Sequence, residues 1–238
     1  MSSTARQFRL ATESIAGLRP YQEDAVLTET LSDGRTLVAV ADGMGGHAGG
    51  EIASEVALNA ALETDGDVVA RVKNANRAVV TAAADDPGLQ GMGTTLTLGS
   101  FADDAVQIGH VGDSRAYLLR GGSLEQITTD HSLVTEMVAR GDITDEEAAV
   151  HPYRSVITRA IGLQPEVEVD SETRTLEVGD RILLCSDGLT RMVDVELIRN
   201  ILMAESHPTE SVWALIEAAN AAGGVDNISV VVVGVGSD

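Results

Sequence analysis

The chain contains two short phrases that nearly repeat, Ala39-Val40-Ala41-Asp42-Gly43 and Leu184-Cys185-Ser186-Asp187-Gly188. In each, an apolar run of the kind that forms a buried strand ends at an aspartate followed by glycine. Val111-Gly112-Asp113-Ser114 is a looser version, and Val225-Asp226-Asn227 places its aspartate just before an apolar run. Because a rigid scaffold fixes the residues that follow its strands, we expect these four aspartates to collect at one edge of a sheet.

Carboxylates gathered at one edge predict a bound cation. They would repel one another strongly unless positive charge lay between them. Hard divalent cations such as Mg²⁺ and Mn²⁺ prefer oxygen ligands, and the carbonyl of Gly43 can supply a further oxygen because glycine lets the backbone approach an ion closely. One Asp-Gly pair is an ordinary turn. Four strand-end aspartates instead favour a carboxylate metal site.

The composition is typical of a protein with an aliphatic core and an acidic surface. Hydrophobic residues make up 44% of the 238 residues but aromatic residues only 3%, so the core must consist mainly of Ala, Val, Leu and Ile. The formal net charge of -21 opposes attraction to nucleic acid and to anionic lipid. The one cysteine, Cys185, lies in an apolar run and is expected to act as a small hydrophobe. No run approaches the length of a membrane span, so we expect a soluble, cytoplasmic protein without a membrane partner.

Hydrophobic periodicity predicts the secondary structure. Strands are predicted at 8–15, 24–30, 36–41, 94–100, 105–111, 114–119, 124–127, 166–173, 181–186 and 227–235. Helices are predicted at 51–62, 67–84, 132–140, 144–150, 194–203 and 209–222. Successive strands have the spacing of hairpins, which favours antiparallel sheets with helices packed outside them, in an α+β fold. No linker or repeat interrupts the chain, so one domain is expected over residues 1–238.

A series of short motifs resembles the protein phosphatase 2C-type family of metal-dependent serine/threonine phosphatases. The motifs are Gly17-Leu18-Arg19 with Gln22-Glu23-Asp24, Asp42-Gly43-Met44-Gly45-Gly46, Gly93-Thr94-Thr95, Gly109-His110-Val111-Gly112-Asp113-Ser114-Arg115, Asp130-His131-Ser132, Ser186-Asp187-Gly188-Leu189 and Asp226-Asn227-Ile228-Ser229. Each motif alone is a weak signal, whereas all of them in the family's order are specific. The Asp-Gly-Met-Gly-Gly-His form is similar to the bacterial branch.

This resemblance implies a four-layer α-β-β-α sandwich, in which helices flank two antiparallel sheets. It also implies a pair of Mn²⁺ or Mg²⁺ ions at one edge of the sandwich. By position, Asp42 would bridge the two ions. Asp187 and Asp226 would hold one ion, and Glu23 and the Gly43 carbonyl would serve the other.

The resemblance assigns further roles around the metal pair. Asp113 would bind a third, weaker ion, and Ser155 matches a residue near that ion in a flap at about 141–162. Arg19 would hold the substrate phosphate. The family is expected to hydrolyse phosphoserine and phosphothreonine in proteins, opposing a serine/threonine kinase. We expect this chain to do so as a monomer, by attack of a hydroxide that bridges the two cations.

One position departs from the family pattern. Eukaryotic members often carry a histidine directly after the Asp-Gly, thought to protonate the leaving group, and this chain has Met44 there. His47, three residues later, and a metal-bound water are the candidates for that role.

Two other functions remain open from the sequence. A small-molecule phosphatase would use the same metal ions, and the cleft shaped by residues 130–162 would decide between the substrates. A non-catalytic regulatory module would keep the fold, although the full set of four aspartates argues against it.

Overall fold

The computed structural model describes residues 6–46 and 48–236. The strands of this part are β1 (Gln7–Ile15), β2 (Asp24–Thr30), β3 (Thr36–Met44), β4 (Gly93–Thr94), β5 (Leu96–Ala102), β6 (Ala105–Val111), β7 (Arg115–Arg120), β8 (Ser123–Gln126), β9 (Asp170–Thr175), β10 (Arg181–Cys185) and β11 (Ile228–Gly236). The helices are α1 (Ala48–Glu63), α2 (Val68–Asp85), α3 (Leu133–Arg140), α4 (Asp145–Ala149), α5 (Asp187–Thr190), α6 (Val195–Ala204) and α7 (Pro208–Ala221), with a 3₁₀ turn at Pro87–Leu89.

The strands form two sheets in which each strand pairs antiparallel to its neighbours. One sheet has the order β1-β11-β10-β7-β8. The other has the order β2-β3-β5-β6-β9, with β4 paired to the end of β3. This arrangement confirms the antiparallel sheets that the hairpin spacing predicts.

The alternation of side chains along the central strands explains the layers. In β3, Val38 and Val40 lie between the two sheets, whereas Ala39 and Ala41 pack against α1 and α2. The sheet formed around β10 and β11 repeats this pattern against α6 and α7. Its inward residues are Ile182, Leu184, Val231 and Val233, and its outward residues are Leu183, Cys185, Val230 and Val232. Since successive side chains of a strand point to opposite faces, two apolar faces per sheet require four layers.

Burial on both faces gives the central strands their stability. Each fully buried Val, Leu or Ile contributes about 1.5–3 kcal/mol relative to an exposed one. Cys185 lies wholly inside this core, and burial raises the pKa of its thiol to about 12, so it remains a neutral apolar side chain as expected. Among the described residues, no helix is long and apolar enough to cross a membrane.

The structure differs from the predicted elements in three places. β3 does not end at Ala41 but continues to Met44, because Gly43 and Met44 pair with β4. The predicted strand at 166–173 begins only at Asp170, where the ladder with β6 starts opposite His110. Asp187 opens the short helix α5 rather than a turn.

The segment 141–162 is anchored towards its C-terminal end. The α3 N–H of Leu133 donates to the Val156 carbonyl at 2.8 Å, and Ile161 forms an isolated bridge with Thr94. Ahead of these anchors in the chain, α4 begins with a capping box formed by Thr144 and Glu147.

Candidate metal centre

The two sheets end side by side, and a hydrogen bond between their strand ends joins them. Asp24 begins β2 and lies opposite Asp42 in β3. Ser186 follows β10 directly, and its hydroxyl donates to Asp24 Oδ2 at 2.8 Å. The same Ser186 oxygen accepts from the N–H of Ser229 in β11 at 3.0 Å. The strand ends that the sequence predicts to carry carboxylates therefore meet at one edge.

Asn227 holds the loop that carries Glu23. Its side-chain nitrogen donates to the carbonyls of Ala16 and Tyr21 at 3.0 and 2.9 Å, and its side-chain oxygen accepts from the Glu23 N–H at 2.8 Å. Its own N–H donates to Asp226 Oδ1 at 2.9 Å. One side chain thus joins the loop before β2 to the start of β11.

Glycine is required where the two Asp-Gly segments pass their neighbours. A Cβ on Gly43 would lie 2.1 Å from the Gly50 carbonyl oxygen and 2.5 Å from that of Glu23. A Cβ on Gly188 would lie 1.9 Å from the Asn227 carbonyl oxygen. Both contacts are with backbone atoms, so any larger residue would push the segments of the site apart.

The aspartates at this edge are buried and close enough to disturb one another. Burial raises the pKa of Asp24 to about 7 and that of Asp113 to about 7. Burial, followed by the charges of Asp24 and Asp187, raises the pKa of Asp42 well above its ordinary value. The pKa of Asp187 is also raised, by burial first and further by the charge of Asp226. Such a cluster favours positive charge beside it.

Unpartnered oxygen atoms mark where that charge is needed. Glu23 Oε1, Asp24 Oδ1 and Asp113 Oδ1 are buried and have no hydrogen-bond partner. A buried anionic oxygen without a partner is costly, and a bound cation removes this cost. All of these atoms are carboxylate oxygens, the type of ligand atom that Mg²⁺ and Mn²⁺ prefer.

Two arginines form ion pairs with the carboxylates at this edge. Arg19 Nη2 donates to Asp226 Oδ2 at 2.9 Å, and about half of the Arg19 side chain is exposed. Arg191 Nη2 contacts Asp187 Oδ2 and lies 3.8 Å from Asp113 Oδ2. Within residues 6–46 and 48–236, accordingly, no three His, Cys, Asp or Glu side chains converge as a ready-made metal cage.

The turn that carries Asp113 is fixed by a histidine. Nδ1 of His131 accepts from the Gly112 N–H at 3.0 Å, and its Nε2 lies 3.2 Å from Asp170 Oδ2. His110 nearby is fully buried, and burial lowers its pKa to about 3, so it is neutral. Both histidines make local hydrogen bonds.

A cleft of about 720 Å³ opens beside the carboxylate edge. Asp113, Asp187, Asp226 and Arg191 line one side of it. The other side consists of residues of α3, α4 and the following loop, which are Val134, Val138, Ala148, Ala149 and Arg154. The cleft therefore joins the charged edge to the segment predicted as a flap.

The structure brings together most of the residues that the sequence singled out. Glu23, Asp42, Gly43, Asp113, Asp187, Asp226 and Arg19 lie at or around this edge. Ser155 lies exposed in a turn and is not among the described residues that line the cleft, so its role stays a prediction. His47 lies outside the described residues.

Sequence reasoning missed three residues as members of the site. Asp24 appeared only within the Gln22-Glu23-Asp24 motif without an assigned role, although its place at the start of a predicted strand was a usable signal. Asn227 belonged to a recognised motif without an assigned role. Arg191 stands four residues after Asp187, a spacing that brings two side chains together on a helix.

Comparison with known proteins agrees with this geometry. The family described as Protein phosphatase 2C matches residues 20–217. A serine/threonine protein phosphatase PstP of Mycobacterium tuberculosis is 43% identical over 98% of this chain, and the chain spans 46% of that relative's length. A serine/threonine phosphatase of Listeria welshimeri is 39% identical, with 91% of each chain covered. The chain therefore belongs to the protein phosphatase 2C family.

Solved structures agree with the fold. The Mycobacterium tuberculosis phosphatase PstP/Ppp superposes with a TM-score of 0.88 and 42% identity, covering 95% of this chain and 98% of that one. A PstP catalytic domain in complex with two manganese ions has a TM-score of 0.86 and 41% identity, covering 98% and 100%. The predicted family and the predicted four-layer sandwich are both confirmed.

Proposed function

We propose that this chain is a metal-dependent protein phosphatase that hydrolyses phosphoserine and phosphothreonine. One observation carries the proposal, which is that buried carboxylates from separate strand ends lie at one edge beside an open cleft, with an arginine at the rim. The raised pKa values of these carboxylates indicate that they need cations to be ionised together. The names of the relatives support protein substrates.

The ligand roles proposed here are those that the resemblance to the family implies. Asp42 lies centrally and would bridge two Mn²⁺ or Mg²⁺ ions. Asp187 and Asp226 would hold one ion, and Glu23 with the Gly43 carbonyl would hold the other. The two manganese ions of the PstP catalytic domain support a pair of this kind.

Bound divalent cations supply an acidified water as the nucleophile and neutralise charge on the transferred phosphoryl group. The chain's own residues do the rest. Asn227 and Ser186 hold Glu23 and Asp24 at the edge, so that the ligands are positioned before substrate arrives. Arg19 would receive two phosphate oxygens on its guanidinium and orient the phosphorus for in-line attack. Its hydrogen bond to a carboxylate oxygen of Asp226 at the same edge supports this proposal.

The leaving alkoxide of serine or threonine needs a proton. Met44 has no proton to give, so we propose two candidate donors, a water acidified by a bound cation and His47. The test is the variant His47→Ala on two substrates. Loss of activity on a phosphothreonine peptide but not on p-nitrophenyl phosphate, whose leaving group needs no proton, would support His47. Equal effects on both substrates would eliminate it.

The surroundings of the site support further parts of the proposal. The cleft extends over apolar residues of α3 and α4, which gives a peptide chain a surface beside the phosphate. We propose that residues 141–162 form a flap of the single catalytic domain 1–238. Within this flap, Ser155 would lie near a third ion bound by Asp113. The proposed substrates are phosphoproteins made by a serine/threonine kinase. We also propose a cytoplasmic monomer, because a net charge of -21 favours repulsion between copies.

The decisive experiment measures phosphate release from a phosphothreonine peptide with Mn²⁺, Mg²⁺ or EDTA. We expect turnover with either cation, none with EDTA, and recovery on adding Mn²⁺. Full turnover of metal-stripped protein would refute the proposal. Small phosphate monoesters hydrolysed with kcat/KM far above any phosphopeptide would indicate the small-molecule alternative.

A further inference from the structure

Arg191 lies among three of the carboxylates that the metal centre needs. It follows α5 directly and stands four residues after Asp187. Its Nη2 contacts Asp187 Oδ2 and lies 3.8 Å from Asp113 Oδ2, while its Nη1 lies 4.0 Å from Asp226 Oδ2. No other described arginine or lysine forms ion pairs with more than one of these aspartates.

Arg19 and Arg191 are not equivalent. Arg19 pairs with Asp226 alone and has a side chain that is 49% exposed, at the rim. The Arg191 side chain is 29% exposed, and its guanidinium reaches Asp187 and Asp113, which are almost fully buried. Arg19 is therefore placed for substrate, whereas Arg191 is placed against the ligands themselves.

A guanidinium and a divalent cation need the same carboxylate oxygens. Asp187 Oδ2 faces Arg191, so it cannot serve an ion until the guanidinium moves. Asp113 presents one oxygen to Arg191, and its other oxygen is buried without a partner. The positive charge between Asp113 and Asp187 occupies the side of the centre where a further ion beside Asp113 would bind.

We propose that Arg191 is a built-in cation that competes with divalent metal for Asp187 and Asp113. Metal loading on this side requires the guanidinium to swing into the cleft that it already lines. The competition acts on the ion held by Asp187 and Asp226 and on the ion beside Asp113. It spares the ion held by Glu23 and the Gly43 carbonyl, because Asp42 and Glu23 form no ion pair with Arg191. The inference rests on the metal centre of the proposed function.

Titration calorimetry of metal-stripped protein with MnCl₂ tests the competition without using activity. The variants are Arg191→Gln, Arg191→Lys and the control Arg199→Gln. Arg199 is matched because its side chain is also 29% exposed and pairs with an acidic neighbour on its own helix, Glu196. We expect Arg191→Gln to tighten the Mn²⁺ steps that use Asp187 and Asp113 by about tenfold, a typical coupling between two ligands that compete, and to leave one Mn²⁺ step unchanged. Arg191→Lys should lie between wild type and Arg191→Gln, and Arg199→Gln should match wild type.

Thermal unfolding gives an independent readout. Stripped Arg191→Gln should melt below wild type, because its carboxylates lose their counter-ion, and Mn²⁺ should raise its Tm by more than it raises that of wild type. Unchanged or weaker Mn²⁺ binding by Arg191→Gln would overturn the inference. A raised KM for phosphopeptide with normal metal affinity in the same variant would also overturn it, because Arg191 would then be a substrate ligand. Should stripped Arg191→Gln fail to fold, Arg191→Lys, which keeps the charge, decides by the same titration. Absence of Mn²⁺ binding by wild type is a separate result, since that would refute the proposed metal centre itself.

Discussion

The two Asp-Gly segments, Asp42-Gly43 and Asp187-Gly188, are nearly identical in sequence and different in structure. The first stays inside β3, with Asp42 opposite Asp24 and Gly43 opposite Thr94. The second leaves β10 and opens the helix α5. The neighbouring segments explain this difference. The strands β2 and β4 pair with the first segment and continue its strand, whereas Gly188 of the second segment packs closely against the carbonyl of Asn227. The same local sequence thus places the Asp42 carboxylate within a sheet and the Asp187 carboxylate at the start of a helix, where Arg191 contacts it.

The largest expected effect is the loss of turnover when the carboxylate of either Asp-Gly segment is neutralised. Asp42→Asn and Asp187→Asn each remove a charge that would hold a cation, and we expect turnover to fall by about a thousandfold or more, since the cations supply several kcal/mol of transition-state stabilisation. Phosphopeptide hydrolysis with saturating Mn²⁺ measures this. Asp33→Asn, at an exposed pair with Arg35, is the control and should keep full activity.

The roles of the two carboxylates should then separate in metal binding. Asp42 is proposed to bridge both ions and Asp187 to hold one, so Asp42→Asn should weaken both tight Mn²⁺ sites and Asp187→Asn only one. Calorimetry showing two unchanged tight sites in Asp187→Asn would contradict its assignment as a ligand.

The next effect concerns the two glycines. Gly43→Ala and Gly188→Ala place a Cβ within 2.1 and 1.9 Å of a carbonyl oxygen, so both should destabilise the fold by about 2–3 kcal/mol, as overpacking does. Chemical denaturation measures this free energy of unfolding. Gly234→Ala, whose Cβ would meet its nearest neighbour at an ordinary 3.6 Å, should show no such loss. Equal stability of all three variants would mean that the close approaches relax without cost.

A smaller effect links pH to metal. Burial raises the pKa of Asp24 and of Asp113 to about 7, so the folded protein binds more protons than the unfolded chain between about pH 4 and 7. Stability without a cation therefore falls as pH rises through this window, and a bound cation removes that loss. We expect Mn²⁺ to raise the Tm more at pH 7.5 than at pH 5.5.

His110 does not disturb this comparison. Its lowered pKa has the opposite sign, since it costs stability as pH falls below about 6.5. It contributes equally with and without Mn²⁺ and cancels in the difference between the two Tm values. A Tm increase of the same size at both pH values would contradict the linkage.

The smallest effect is expected at the rim. Arg19→Ala should raise the KM for phosphopeptide by about three- to tenfold and lower kcat less, because an exposed guanidinium contributes mainly to binding. Steady-state kinetics measure this, with Arg35→Ala as the control at an exposed pair away from the edge. Unchanged kinetics in Arg19→Ala would make Arg19 a surface residue.

The sequence by itself determined the local features. Period-two and helical patterns predicted nearly all strands and helices to within a few residues, because side-chain periodicity follows directly from backbone geometry. Val38 and Val40 alternate with Ala39 and Ala41, so both faces of this strand are apolar, which indicated a sheet buried on both faces. The order and spacing of the motifs also identified the family, and with it the carboxylates that meet at one edge.

Only the tertiary structure decided which side chains touch. The bond from Ser186 to Asp24 joins residues 162 positions apart and depends on how two sheets stack, which no periodicity encodes. The start of β9 at Asp170 depends on where its partner strand ends. The place of Arg191 between Asp187 and Asp113 follows from a four-residue helix whose position is set by contact with Asn227. Contacts of this kind are fixed by packing between distant segments, and for that reason the proposed competition between arginine and metal became visible only in the folded protein.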